Sequence, residues 1–158
     1  MKKLIKKIYH SSFAWLYPLT GRKPWGLGYA PFKFLKIKLS IRNKSLNIND
    51  LPIGYGQRLD ERIIEYPWFF SGLPDSKGRL LDAGSILNYS FVLNHPKLQN
   101  KSIFISTLAP ESDCFWDKGV SYVFEDLRDS CFGDGYFDWV TSLSTIEHIG
   151  LDNTMLYT

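Results

Sequence analysis

The feature that most constrains the fold is a short apolar run that ends in an acidic residue and a glycine, residues 78–85 (GRLLDAGS). No charge interrupts its two leucines, and a loop containing Gly84 follows at once. A second apolar run, residues 102–106 (SIFIS), comes about twenty residues later. This spacing predicts a strand, a crossover and a second strand of a parallel sheet. Ligands of such sheets bind outside the carboxyl ends of the strands, which is where Asp82 and Gly84 lie.

Length and composition predict a folded chain of about one domain. The 158 residues are 44% hydrophobic and 16% aromatic, fractions too high for a disordered protein. The two cysteines, Cys114 and Cys131, form no C-x-x-C pair and lie in no histidine cluster, so neither a zinc site nor a disulfide framework is predicted. We therefore expect no metal ion, and free thiols in the reducing cytoplasm.

Charge is distributed unevenly along the chain. Residues 1–44 contain eleven Lys and Arg and no Asp or Glu, whereas the remainder carries eight basic and sixteen acidic residues. Residues 1–17 have helical apolar spacing with lysines beside it, and Pro18 is expected to end this helix. Such a helix either binds the headgroups of an anionic membrane, which would place the protein peripherally at the inner face, or packs on the domain. The apolar run is too short to span a bilayer.

Two more segments precede the central strand. Residues 32–41 (FKFLKIKLSI) alternate with a period of two, which predicts a strand with one basic face. A nucleic-acid groove would use such a face, but no nucleic-acid motif accompanies it and the rest of the chain is acidic, so nucleic acid is not favoured as a partner. A helix is predicted next, with Asp60 as its N-cap and Pro67 as its kink or end. We divide the chain into an N-terminal extension, 1–56, and an α/β domain, 57–158.

The predicted domain contains three strands after the central one. They are residues 102–107, 121–125 and 139–144, with a short helix or helical turn in 88–98 and room only for a short helix in 111–119. The predicted fold class is therefore α/β, with a mainly parallel sheet and flanking helices.

Three motifs on these strands resemble those of a known family. Residues 80–85 (LLDAGS), 125–140 and 142–149 (SLSTIEHI) resemble three successive motifs of the class I S-adenosylmethionine-dependent methyltransferases. Asp126 lies twelve residues before Asp138, as in that family's run from the end of strand three to the Phe-Asp pair that opens strand four. The resemblance covers about half of the chain.

The resemblance implies a Rossmann-like sheet with strands ordered three, two, one, four, and S-adenosylmethionine as the cofactor. The residues that it implies for cofactor binding are Asp82, Ala83, Gly84, Ser85, Thr107, Asp126, Leu127 and Leu143. Gly84 would let the backbone approach a bulky ligand because it has no Cβ. Asp82 would accept a hydrogen bond from loop amides or, through water, from the ligand's ammonium group. Asp126 would accept from the adenine amine, with the Leu127 N–H donating to a ring nitrogen.

The chain also departs from the family in two places. Ile86 and Asn88 stand where further loop glycines are usual, and Ser106 and Thr107 replace the acidic residue at the end of strand two. Glu111 comes four residues late, so Thr107 is the residue left for a ribose contact. These departures favour an alternative in which the domain keeps the fold and binds without catalysis.

The expected activity is methyl transfer from S-adenosylmethionine to a small-molecule, glycan or lipid-linked acceptor. Glu147 and His148 follow strand four, where the acceptor would arrive, and a histidine there suits removal of a proton from a hydroxyl. A nucleotide-sugar or nicotinamide-dependent Rossmann enzyme is a further alternative. Its G-x-G-x-x-G turn does not occur in residues 82–88.

The family's sheet continues with three more strands beyond strand four, and this chain ends at Thr158 before they could form. We therefore expect an incomplete domain in which strand four is a sheet edge. Such an edge presents unpaired N–H and C=O groups, which favours self-association or pairing with a strand from elsewhere.

Overall fold

The computed structural model describes residues 13–43 and 46–151. The chain divides into two compact units, Met1–Leu73 and Pro74–Thr158. Most of the helix predicted for residues 1–17 lies outside the described residues. None of the helices in the described ranges has both the length and the apolar character needed to cross a membrane.

The first unit is helical. Its described helices are α1 (Leu16–Leu19), α2 (Tyr29–Ser40) and α3 (Arg62–Gly72). Helix α1 contains Pro18 and ends one residue after it, close to the predicted end. Tyr17 is fully buried, and its hydroxyl donates to the carbonyl oxygen of Arg58 at 2.6 Å, which fixes the α1 turn to the segment before α3.

The strand predicted for residues 32–41 is wrong, because residues 32–40 belong to helix α2 and Ile41 is its C-cap. The helix follows Gly28, which adopts a left-handed conformation (φ 79°) that glycine tolerates. The side chains buried on α2 are Tyr29, Ile37 and Ser40, a spacing that places them on one helical face. Leu39, which the alternating pattern assigned to the buried face of a strand, is instead exposed.

Asp60 is not the N-cap of the next helix. Helix α3 begins at Arg62, and the Asp60 carboxylate instead forms an ion pair of 2.6 Å with Lys33 of α2. The Asp60 backbone N–H also donates to the hydroxyl of Tyr29. Helix α3 belongs to the first unit, which ends at Leu73.

Pro67 was predicted to kink or end this helix; helix α3 continues past it to Gly72, so Pro67 does not end the helix. Pro67 is itself buried, as are Phe69 and Phe70 beyond it. Burial of these aromatic rings contributes on the order of 1.5–3 kcal/mol each and offsets the hydrogen bond that the proline cannot make.

The second unit is built on a parallel sheet, as predicted. Its strands are β1 (Gly78–Ala83), β2 (Lys101–Thr107), β3 (Ser121–Phe124) and β4 (Trp139–Thr141), and within the described residues they form a sheet of order β3-β2-β1-β4. A short helix, α4 (Ser90–Leu93), and 3₁₀ turns at Pro96–Leu98, Trp116–Lys118 and Ile146–His148 connect or follow the strands. The predicted order of the four strands is therefore confirmed, and β4 is shorter than predicted.

The strand register brings the carboxyl ends of the strands together. Ala83 of β1 pairs with Ser106 of β2, and Thr107 pairs with Phe124 of β3. Strands β1 and β2 are the two interior strands, and Leu80 of β1 is fully buried. The chain proceeds from β1 to β2 and β3 on one side, whereas β4 lies on the other side of β1. The carboxyl ends of β1 and β4 therefore flank the topological switch point, where ligands of such sheets bind.

Candidate functional site

A pocket of about 280 Å³ lies at the carboxyl ends of the strands; we call it the edge pocket. Its lining includes Gly84 after β1, Thr107 and Leu108 at β2, Glu125 to Arg128 after β3, and Ser144, Thr145 and His148 after β4. All four strands therefore contribute to one site. Four of the eight predicted cofactor-binding residues line it: Gly84, Thr107, Asp126 and Leu127.

Gly84 adopts a backbone conformation that side chains rarely reach, with φ at +119°. Its N–H donates to the Ser106 carbonyl oxygen at 2.9 Å, which ties the loop to β2. A Cβ on Gly84 would lie 2.7 Å from the Cβ of Thr145 and would overlap the rest of that side chain. The group that packs against the backbone of Gly84 is therefore the Thr145 side chain, whereas the sequence predicted a ligand there.

Asp82 is fully buried below this loop. One of its carboxylate oxygens accepts the Leu87 N–H at 2.7 Å, so Asp82 holds the loop that follows β1. This is one of the two roles predicted for it, the acceptance of a loop amide. The predicted residues Asp82, Ala83, Ser85 and Leu143 are outside the lining of the edge pocket.

The Asp126 carboxylate is held by Arg128. The guanidinium Nη2 donates to Oδ2 at 2.6 Å, Nε donates to both carboxylate oxygens at 3.1 Å, and the Arg128 backbone N–H donates to Oδ1 at 2.9 Å. These hydrogen bonds lower the pKa of Asp126 from 3.8 to about 2. A carboxylate has about four acceptor positions, and these hydrogen bonds occupy all of them. An adenine amine could therefore bind Asp126 only if it displaced some of the hydrogen bonds from Arg128.

Glu125 is the acidic residue that the sequence analysis missed. Its Oε1 accepts from the hydroxyls of Ser106 (2.9 Å) and Ser130 (3.0 Å), and its Oε2 accepts the Cys131 N–H at 2.8 Å. Burial alone would raise the pKa of Glu125, but the hydrogen bonds from Cys131, Ser106 and Ser130 outweigh it and lower the pKa below its ordinary value. The carboxylate is therefore ionised and fixed at the end of β2.

Glu125 takes the place of the acidic residue that the sequence lacks at the end of β2. Thr107 pairs with Phe124, so the residue after β3 lies beside the end of β2. The sequence contained a signal for this arrangement, because hydroxyl residues end one strand and a carboxylate follows its parallel neighbour directly. Glu111, the other candidate, lies outside the edge pocket, where its carboxylate accepts from the Asn88 side-chain amide at 2.9 Å.

The two predicted catalytic residues differ in their position relative to the edge pocket. Glu147 and His148 both belong to the exposed 3₁₀ turn after β4, but only His148 lines the edge pocket. The His148 backbone N–H donates to the Thr145 carbonyl oxygen at 2.9 Å, so the turn that positions His148 also carries Thr145.

Asp138, the residue immediately before β4, has a structural role. Its Oδ2 accepts the Arg79 N–H at 2.7 Å, and its own N–H donates to the Arg79 carbonyl oxygen at 3.0 Å. Asp138 therefore pins β4 to the amino end of β1, opposite to the edge pocket. Within the described ranges, no group of three or more His, Cys, Asp or Glu side chains is placed to hold a metal ion.

Comparisons of the chain with protein-family models, with curated proteins and with solved structures found no match in any of the three. The function is therefore argued from the edge pocket itself.

Proposed function

We propose that the second unit binds S-adenosylmethionine in the edge pocket and acts as a methyltransferase on a small-molecule, glycan or lipid-linked acceptor. The observation that carries the proposal is the position of the pocket at the switch point of a sheet ordered β3-β2-β1-β4. Its volume, about 280 Å³, is close to the lower end of small-molecule pockets, roughly 300 Å³. The motifs that resemble the class I methyltransferases supply most of its lining.

The lining fits the nucleoside half of this cofactor. Glu125 accepts three hydrogen bonds and retains capacity for about one more, which suits a ribose hydroxyl. Thr107 lies beside it with a second hydroxyl. Leu127 would donate its backbone N–H to an adenine ring nitrogen, and Asp126 would accept from the exocyclic amine once Arg128 shifts.

The amino-acid half of the cofactor would lie near Gly84, where the Thr145 side chain now packs. Binding of that half requires Thr145 to rotate or its loop to move. The cofactor, when bound, supplies a methyl group on a positively charged sulfur. His148 would accept the proton of a hydroxyl acceptor, and the remaining contribution of the chain is to position the reactants.

A second candidate function is non-catalytic binding of an adenosyl or nucleoside ligand. One observation favours it: Thr145 occupies the space at Gly84. This leaves room for a nucleoside at Glu125 and Leu127 but not for the complete cofactor. The two candidates therefore differ in what happens at Thr145.

Isothermal titration of the chain with S-adenosylmethionine, S-adenosylhomocysteine and adenosine tests the proposal. We expect Glu125→Gln and Asp126→Ala to weaken binding by about 1–3 kcal/mol each. Asp129→Asn is the matched control, because Asp129 is an exposed carboxylate of the same loop outside the pocket lining, and it should leave the affinity unchanged.

The outcomes separate the two candidates. Tighter binding of the S-adenosyl ligands than of adenosine, together with turnover that is reduced in His148→Gln, supports the methyltransferase. Equal binding of all three ligands without turnover supports the non-catalytic domain. Absence of binding, or binding unaffected by Glu125→Gln and Asp126→Ala, would remove the edge pocket as the site.

A further inference from the structure

A second pocket, of about 310 Å³, lies in the first unit; we call it the α2 pocket. One wall is a face of helix α2 that includes Phe32, Lys36 and Leu39. The opposite wall is the segment 54–59, and Ile63 of α3 also lines it. The three motifs that resemble those of the methyltransferases lie elsewhere in the chain, and the proposed methyltransferase site does not involve this unit.

The segment that forms the opposite wall is a series of tight turns. Backbone N–H groups of Tyr55, Gln57 and Leu59 each donate to the carbonyl oxygen three residues earlier, at 2.9–3.0 Å. Gly56 has a φ of +71°, and a Cβ there would lie 2.6 Å from the Cγ2 of Ile63. The backbone therefore packs directly against α3, which makes this wall a built part of the unit.

The charge of the α2 pocket is positive. Arg22 and Lys36 line it, and no Asp or Glu does. In the described part of the chain neither cation is in an ion pair, whereas the neighbouring Lys33 is neutralised by Asp60 at 2.6 Å. The Lys36 ammonium also lies 5.4 Å from the ring centroid of Phe32, a cation–π distance that holds its charge at the pocket.

Tyr55 adds a hydroxyl to this lining. Its oxygen is buried and has no hydrogen-bond partner among residues 13–43 and 46–151. Burial of a hydroxyl without a partner costs about 1–3 kcal/mol, so such groups are rare unless an ordered water, an ion or a bound molecule completes them. Tyr55 is therefore a donor that a ligand would satisfy.

We propose that the α2 pocket binds a phosphate monoester with an apolar body. The cations Arg22 and Lys36 and the Tyr55 hydroxyl supply donors for a group with several acceptor oxygens. The apolar lining, Phe32, Leu39, Leu59 and Ile63, suits an alkyl or acyl chain rather than a sugar. The site is independent of the methyltransferase proposal, because every residue in it belongs to the first unit.

Isothermal titration of the full chain with hexyl phosphate tests the site, with inorganic phosphate, hexanol and heptanoate as comparison probes. Hexyl phosphate should bind at least about tenfold more tightly than each of the other three, because only it offers both the phosphate and the chain. Equal binding of heptanoate would overturn the assignment to phosphate. Equal binding of inorganic phosphate or hexanol would overturn the two-part site.

Two variants test the residues. Lys36→Met keeps the aliphatic stem and should raise the Kd for hexyl phosphate about tenfold, whereas Lys38→Met, the same change on α2 outside the pocket lining, should leave it within about twofold. Tyr55→Phe should raise the Kd about fivefold without lowering the stability of the free chain, since the hydroxyl has no partner in the described residues. Unchanged Kd values in Lys36→Met and Tyr55→Phe would overturn the proposal.

Vesicles distinguish a lipid headgroup from a soluble phosphate. The chain is mixed with phosphatidylcholine vesicles that contain or lack phosphatidic acid, at low and high salt. Binding to phosphatidic acid that is lost in Lys36→Met, but not in Lys38→Met, identifies the lipid as a source of the phosphate. Binding of hexyl phosphate without a Lys36-dependent vesicle interaction identifies a soluble ester. Vesicle binding lowered equally by both variants, with no binding of hexyl phosphate, would show general surface attraction and overturn the pocket.

Discussion

Replacement of Gly84 by alanine should destabilise the second unit strongly. Gly84 has a φ of +119°, in a region that is essentially restricted to glycine, and the conformational cost of a side chain there is about 1–3 kcal/mol. The new methyl group would also lie 2.7 Å from the Cβ of Thr145 and overlap its other side-chain atoms. Such overpacking costs about 1–3 kcal/mol. The expected loss in unfolding free energy is therefore about 2–6 kcal/mol.

Urea unfolding followed by fluorescence measures this loss, and Gly133→Ala is the matched control. Gly133 lies in the same unit, has no positive φ, and would place its Cβ in open space. Gly133→Ala should be neutral or stabilising by about 0.4–1 kcal/mol, through the unfolded chain. A difference between the two substitutions thus isolates the surroundings of Gly84.

A double-mutant cycle separates the two causes of the loss. Thr145→Gly removes all three atoms that the new methyl group would overlap. Gly84→Ala should therefore cost about 1–3 kcal/mol less in the Thr145→Gly background, and the conformational part should remain. An equal loss in both backgrounds would refute the packing of Thr145 on Gly84. A loss no greater than that of Gly133→Ala would refute the backbone argument as well.

Three further predictions concern the sheet and its edge. Arg128→Gln should return the pKa of Asp126 from about 2 towards 3.8, as measured by NMR titration. Because folding lowers this pKa, the ionised Asp126 stabilises the folded chain above about pH 4, and this stabilisation is lost as the pH falls towards 2. Asp138→Ala removes the acceptor of a β1 amide and should lower the unfolding free energy by about 1 kcal/mol in urea titrations, whereas Asp134→Ala, in the exposed loop before it, should have little effect. Strand β4 pairs with β1 and with no other described strand, and Val140 is 64% exposed, so Val140→Lys should reduce self-association in light scattering; a wild-type chain that stays monomeric at all concentrations would contradict this.

The sheet could be predicted because its signals are local and its order followed from the motifs. The uncharged leucines of β1 are buried, and so are Ile103 and Ile105 of β2, as a parallel interior requires. Strand β4 ends at Thr141, before the predicted residue 144, and Ser144 could not belong to a strand because its φ is +45°.

The errors in the first unit have a different cause, since they depend on partners distant in sequence. Residues 32–41 fit a period of two as well as a helical period, and the ion pair between Lys33 and Asp60 is formed only by the helix that was not predicted. The same contact removed Asp60 from its predicted role as an N-cap. A pattern over ten residues contains no information about a carboxylate 27 positions away.

The sequence predicted where the edge pocket lies but not all of the residues that line it, and this difference bears on its function. Sequence motifs placed Gly84 and Asp126 in the site, whereas the register of β2 and β3 brought in Glu125, and the turn after β4 brought in Thr145. Glu125 strengthens the case for a ribose, because it supplies an ionised acceptor where the sequence had only hydroxyls. Thr145 acts in the opposite sense, since its side chain packs at Gly84, where the amino-acid half of the proposed cofactor would lie. Under the proposal, the side chain of Thr145, just before the 3₁₀ turn, decides between nucleoside binding and methyl transfer. Because the His148 N–H donates to the Thr145 carbonyl oxygen, a movement of this loop would also reposition the proposed base, whereas a rotation of the Thr145 side chain would not.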